Sequence, residues 1–181
     1  MKYILLFFSI ATLISCNSNQ LAKDFNCETS GFSNLESVED IKKKFRVELP
    51  KHWKTKLYYD DGVSSIYSAD TTISLSKTIV MDVSFINNTS EIDYNFIAKV
   101  KSDNTQQELT ELHSKKVKFL RNSGYYNLAK GKRGKYDYHL LNVFSKTKTG
   151  FIHAKTEIYG DSLVDERLCK SILLLHKIDV N

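Results

Sequence analysis

The chain reads as an α+β protein: a three-layer sandwich in which an antiparallel sheet of about six to seven strands carries helices on both faces. Three observations predict this class. Short apolar or alternating segments recur between Phe45 and Tyr159, two further segments repeat apolar residues at helical spacing, and the last hairpin is apolar on both sides. A sheet that is greasy on both faces has to be covered on both. Composition agrees, because 41% hydrophobic residues with Gly 7 and Pro 1 describe an ordered domain without a linker or a repeat.

The N-terminus comes first. Lys2 precedes an apolar run from Tyr3 to Ile14, about twelve residues long, which is the length of a signal h-region and too short to span a bilayer. Leu13-Ile14-Ser15-Cys16 then resembles the lipobox of bacterial lipoproteins. The resemblance implies cleavage before Cys16, a diacylglycerol and fatty acyl (palmitate-type) modification there, and a chain held on the membrane by lipid. Asn17, in place of an aspartate, resembles the pattern of outer-membrane retention, and no acidic cluster follows, so the expected location is the outer membrane facing the periplasm. The domain plan is a signal peptide over 1–15, a lipidated N-terminus and polar tether over 16–34, and one α+β domain over 35–181. Without the signal, 181 − 15 = 166 residues remain, enough for a single well-buried core.

Phe45-Arg46-Val47-Glu48-Leu49 alternates with period two and predicts a strand, closed by the only proline, Pro50, with Trp53 placed to cover its end. Leu57 to Asp60 and Ser65 to Tyr67 flank Asp61-Gly62, a hairpin signal. Thr78 to Ile86 has apolar residues on both faces and reads as a central strand. Ser90 is placed to cap a helix from about Glu91, with Ile92, Phe96, Ile97 and Val100 on one stripe. Four strands follow, Val117 to Leu120, Tyr125 to Lys130, Tyr136 to Phe144 and Phe151 to Tyr159, separated by glycine-containing turns. A final helix, capped by Asp161 or Ser162, carries Leu163, Leu168, Ile172 and Leu175.

Phe45-x-Val47-x-Leu49-Pro50-x-x-Trp53, followed by a meander, a mid-chain helix, more strands and an Ile/Leu-rich terminal helix, resembles the PsbP-like fold over about residues 41 to 178. The tract from Leu57 to Thr72 is similar to a subgroup of envelope lipoproteins without an assigned activity. The resemblance implies a binding or assembly accessory; it supplies no catalytic residue, and Pro50 and Trp53 map onto it as structural positions.

Chemistry is sparse. Cys27 and Cys169 are an even pair in an oxidising compartment and are read as either a disulfide or two buried thiols. Tyr58, Tyr59, Tyr67 and Asp70, with Asp60 and Asp61 nearby, cluster around the first hairpin and are the candidate binding surface. Lys130, Lys132, Arg133 and Lys135 form a basic tip, without a phosphate-loop pattern. His139 and His153 lie on neighbouring strands without metal-ligand spacing; a register centred on Thr147-Lys148 turns them to opposite sides. No nucleophile elbow or acid/base pair is present, so no catalytic residue, metal or cofactor is assigned. The net charge of +5 finds no nucleic acid in that compartment. The expected partners are the membrane, through Cys16, and an unidentified envelope protein. The expected function is a non-catalytic, membrane-anchored accessory module; the alternatives are a small envelope hydrolase acting on glycan or lipid, and a structural or stress lipoprotein.

Overall fold

The computed structural model describes residues 20–28, 30–88 and 90–181. In chain order the elements are α1 (Gln20–Asp24), β1 (Leu35–Glu39), β2 (Phe45–Pro50), β3 (Lys54–Tyr59), β4 (Val63–Ala69), β5 (Val80–Ile86), α2 (Tyr94–Gln106), β6 (Thr110–Phe119), β7 (Asn122–Arg133), β8 (Tyr136–Lys146), β9 (Phe151–Tyr159), α3 (Val164–Leu175) and β10 (Ile178–Val180). Seven strands form one antiparallel sheet in the order β3-β4-β5-β9-β8-β7-β6, and β1-β2-β10 form a second, smaller one. Helix α2 covers one face of the large sheet. Helices α3 and α1, with the small sheet, cover the other.

The alternation of Phe45, Val47 and Leu49 does make a strand, with those three side chains fully buried and Arg46 and Glu48 exposed. Its place differs from the expectation of a single sheet. Strand β2 is the centre of the small sheet, with Val38 and Ile178 on either side of Val47. Neither β1 nor β10 is signalled by its own sequence; β1 is mostly polar and β10 only three residues long, and each becomes a strand because β2 offers it a partner. Trp53 closes the strand's end as expected, its indole edge-on to Phe32 at 5.4 Å.

The buried carboxylate of Asp40 ties the small sheet to the large one. It accepts from the backbone N–H of Lys42, Lys44 and Phe45 at 3.0, 2.6 and 2.7 Å, and from the Ser64 hydroxyl of β4 at 2.5 Å. Four donors compensate a charge that is only 2% exposed.

The first hairpin forms where Asp61-Gly62 predicts it. The Asp60 carboxylate accepts from Gly62 N–H at 2.8 Å and Val63 N–H at 2.7 Å, and these bonds hold its pKa below the usual carboxylate value. Two helix caps differ from the sequence reading. Asp93, not Ser90, caps α2, accepting from Phe96 N–H at 2.9 Å, while Ser90 is engaged by Asn88. Neither Asp161 nor Ser162 caps α3, because Leu163 occupies the cap position with φ 51°. The Arg167 guanidinium instead gathers the carbonyls of Thr78, Tyr159, Gly160 and Ser162.

Strand β6 begins seven residues earlier than its apolar end suggests, since Thr110 to Lys116 is an edge segment wet on both faces, with no alternation to read. The β6–β7 turn contains no glycine; Leu120 and Arg121 take positive φ, 50° and 65°. Gly131 lies within β7, where a Cβ would come 2.7 Å from Leu109 Cδ2 and 2.8 Å from the Glu108 carbonyl oxygen. That absent side chain lets the chain leaving α2 cross the strand closely.

The polar stretch read as a tether over 16–34 is corrected for its described part. Leu21 is 1% exposed in the main core, and Ala22, Phe25, Cys27 and Phe32 pack around it. Residues 20–28 and 30–34 are part of the folded body because these five side chains, hidden by polar neighbours in the sequence, pack on the core. The signal peptide over 1–15 and the lipidation site Cys16 lie outside the described residues. Among the described residues no helix is long and apolar enough to cross a membrane.

Candidate functional site

Helix α2 covers only part of its sheet face. Phe96 stands edge-on to Phe144 at 4.9 Å and to Phe151 at 5.8 Å, and Val100 packs on the same cluster with Tyr125. Toward the helix end, Asn104 Nδ2 donates to Asn127 Oδ1 at 2.5 Å, and Asn127 Nδ2 to Glu111 Oε2 at 2.7 Å. These contacts fix the helix over β6, β7 and β8. The β4, β5 and β9 side of the same face is left beside it as the floor of a cleft.

Strand register decides what that floor carries. Tyr67, Asp82, Lys155, Asn142 and Asn127 pair in succession across five strands, so their side chains form one row. Ser65, Ser84, His153 and Phe144 form the next row on one side, and Ala69, Val80, Glu157 and Leu140 the row on the other. Between these rows and the end of α2 lies a cavity of about 220 Å³, walled by Val100, Asn104 and Gln107 from the helix side and by Arg133, Tyr138 and His153 from the sheet.

The charges in the cleft are matched. Lys155 Nζ sits 3.1 Å from Asp82 and 3.4 Å from Glu157. Burial works to lower the Lys155 pKa, but the two carboxylates outweigh it and hold the ammonium above its ordinary value. Ser84 donates to Asp82 at 3.0 Å, and the Tyr159 hydroxyl to Glu157 at 2.8 Å. Burial, reinforced by Glu157, pushes the Tyr159 phenol up to about 12. The Arg133 guanidinium lies 4.8 Å over the Tyr138 ring and donates to Gln107 Oε1 at 3.0 Å. His153 stacks on Phe144 at 4.3 Å and its Nε2 bonds Asn142 Oδ1 at 2.9 Å. Burial, with Lys155 beside it, lowers the His153 pKa to about 4, so the ring is neutral at pH 7. The cleft therefore offers paired charges, amide groups and aromatic faces, suited to holding a polar group against rings.

Of the residues expected to form a binding surface, two share the sheet face of the cleft, outside the cavity itself, and two do not. Tyr58 and Tyr67 share its face as diagonal neighbours across β3 and β4. Burial and the nearby Glu157 raise the Tyr67 phenol. Tyr59 points to the opposite face, where Lys42 lies 5.9 Å from its ring centre. Asp70 lies just beyond the β4 end, accepting from the Thr72 N–H and hydroxyl and standing 3.4 Å from His52.

The basic tip is dispersed. Lys130, Lys132 and Arg133 belong to β7, and alternation sends the lysines to one face and Arg133 to the other. Lys132 pairs with Asp137 at 2.8 Å. His139 and His153 face opposite sides in a hairpin whose pairs include Phe144 with His153 and His139 with Ile158. Among the described residues no group of three His, Cys, Asp or Glu side chains could hold a metal. Cys27 and Cys169 form a disulfide, away from the cleft, between the segment after α1 and the middle of α3.

The sequence reading missed Asp82, Lys155 and Glu157, and weighed His153 only as a metal ligand beside His139. One signal was available: His153, Lys155 and Glu157 repeat at i, i+2 and i+4 on a strand whose two faces were both expected to be covered. A polar row on a covered face has to be either wet or partnered.

No family model matches the chain, and none of the curated proteins matches it. Solved structures do. The cyanobacterial PsbP (CyanoP) of Synechocystis sp. PCC 6803 is 11% identical with a TM-score of 0.57, covering 86% of this chain and 97% of its own. The Saccharomyces cerevisiae Ran-binding protein Mog1p is 8% identical with a TM-score of 0.52, covering 82% of this chain and 96% of its own. At such identities the likeness concerns the fold, which is PsbP-like.

Proposed function

We propose that this chain is a non-catalytic accessory protein of the cell envelope, held on the membrane by lipid at Cys16, which binds a partner through the cleft beside α2. The observation that carries the reading is the row Tyr67, Asp82, Lys155 and Asn142, a polar strip left beside the helix and flanked by Tyr58, Tyr138 and Tyr159. Its charges are already neutralised by one another, which suits recognition more than chemistry. The lipobox resemblance of Leu13 to Cys16 supports the anchor, and the outer membrane facing the periplasm follows from Asn17. A lipid anchor concentrates the cleft near membrane-bound partners without adding a contact.

The hydrolase alternative gains one observation, the convergence of His153, Lys155 and Glu157 on a concave surface. Against it, Lys155 is held protonated between two carboxylates and His153 is a weak base engaged by Asn142. The test is co-purification of the full lipidated chain from detergent-solubilised membranes, beside Tyr67→Ala and Glu157→Gln variants. A stoichiometric protein partner that is lost with the variants supports the accessory reading. A partner retained undiminished by both variants removes the cleft from the proposal, and turnover of a glycan or lipid ester that Glu157→Gln abolishes replaces the reading with the enzyme.

A further inference from the structure

We infer that the end of the large sheet bearing the β6–β7 and β8–β9 turns rests against an anionic lipid surface, so that the domain stands on the membrane in one orientation. The inference rests on the lipid-anchor reading of Cys16 and adds the surface that meets the bilayer.

Three independent observations carry it. The first is where the described residues begin. Gln20 Oε1 accepts from the Lys118 backbone N–H at 3.2 Å, and Asp24, at the other end of α1, pairs with Lys115 at 2.8 Å and accepts from the Tyr126 hydroxyl at 3.2 Å. Helix α1 therefore lies along the outer edge of β6 with its start beside Lys118, close to the Leu120-Arg121 turn. The Cys27–Cys169 disulfide fastens the segment that follows it to α3. Gln20 is four positions after Cys16, a reach of at most about 14 Å fully extended. A lipid on Cys16 then brings the bilayer to this end of the sheet.

The second is charge. Lys116, Lys118, Arg121 and Lys148 are exposed at this end. Of the carboxylates beside them, Asp24 is paired with Lys115 and Glu91 with Lys146, and Asp93 caps α2. Among the described residues those four cations take part in no ion pair. A membrane rich in anionic headgroups is the complementary surface, and each basic residue close to it is worth about fivefold in partitioning.

The third is shape. A recess of about 380 Å³ opens here between Lys116 and Lys118 on one side and Glu91, Ile92 and Lys146 on the other, with Gln20 at its rim. It has room for a headgroup. Tyr94, at the start of α2 beside it, is 82% exposed, and a tyrosine ring is at home at headgroup depth.

The orientation has a consequence for the cleft. Arg133 and Tyr138 belong to the other end of the sheet, Arg133 lying nine residues along β7 from Gly124, or about 30 Å away. The Arg133–Tyr138 end of the cleft is therefore turned away from the bilayer, and its Phe144–His153 end lies nearer the turns.

The experiment uses the full lipidated chain in phosphatidylethanolamine vesicles, with or without phosphatidylglycerol, and a fluorophore on either Arg121→Cys or Lys135→Cys. Quenching by lipids spin-labelled near the headgroup is the readout. The expected result is quenching at position 121 several-fold stronger than at 135, increased by phosphatidylglycerol. A variant combining Lys116→Glu, Lys118→Glu and Lys148→Glu is expected to lose that increase, and its charge changes lie at exposed sites that leave the core intact. Equal quenching at both positions, or stronger quenching at 135, in protein that stays with the vesicles overturns the orientation and leaves the anchor standing. Protein that washes off the vesicles in high salt overturns the anchor reading and this inference with it.

Discussion

Cys27 and Cys169 are joined across 142 residues of sequence, with their Cα atoms 5.2 Å apart. The bond fixes the chain just after α1 to a helix whose Leu168, Ile172 and Leu175 sit in the main core. By the loop-entropy model, closing a loop of this length destabilises the unfolded chain by about 5 kcal/mol. A Cys27→Ser/Cys169→Ser variant is therefore expected to lose about 3–5 kcal/mol in urea unfolding, and the native protein in a thiol reductant to follow the same curve. A loss below about 1 kcal/mol would mean that α1 and its neighbours hold their place by packing alone.

The extent to which this fold is legible in the sequence depends on how local its causes are. The alternation of Phe45, Val47 and Leu49, the Asp61-Gly62 turn and the two-sided apolar hairpin of β8 and β9 are set by neighbouring residues, and the structure agrees with each. Strands β1 and β10 are different, since their residues become strands only because β2 lies between them in space. The same holds for the segment 20–34, whose polar surroundings conceal Leu21 and Phe25. For the cleft, Tyr58 and Tyr67 were visible as a hairpin cluster. Placing Asp82, Lys155 and Glu157 beside them required the register of β4, β5 and β9, which local pattern does not contain.

Arg167 replaces a helix cap with a buried cation. Its guanidinium donates to the carbonyls of Thr78 at 3.1 Å, Tyr159 at 3.0 Å and Ser162 at 2.6 Å, and so joins the start of α3 to the ends of β5 and β9. Arg167→Met keeps the length of the side chain but leaves these carbonyls without a donor, at an expected cost of about 3 kcal/mol. Arg167→Lys is expected to recover less than half of that, because one ammonium cannot span the fork that the guanidinium fills. Urea midpoints of the three proteins test this. Full recovery by lysine would show that charge alone matters at the site.

His153 and His176 give the fold a sensitivity to mild acid. Burial lowers both pKa values to about 4, with Lys155 adding to the effect at His153. In the unfolded chain each imidazole titrates near its ordinary value of 6.5. Between these limits the unfolded state binds more protons than the folded one, so stability rises with pH across the window and is lost as pH falls from about 6.5 toward 4. The two shifts together place an upper bound of several kcal/mol on the loss, on the order of 3 kcal/mol for each group. A His153→Gln variant keeps a donor for Asn142 Oδ1 while removing the titration, so its stability is expected to decline less steeply than the native protein's between pH 6.5 and 4.5. Urea unfolding at half-unit pH steps measures the two slopes. Parallel slopes would assign the acid sensitivity to His176 or to the carboxylates and take His153 out of the account, while a flatter slope in the variant alone would tie the loss to the ring stacked on Phe144 in the floor of the cleft.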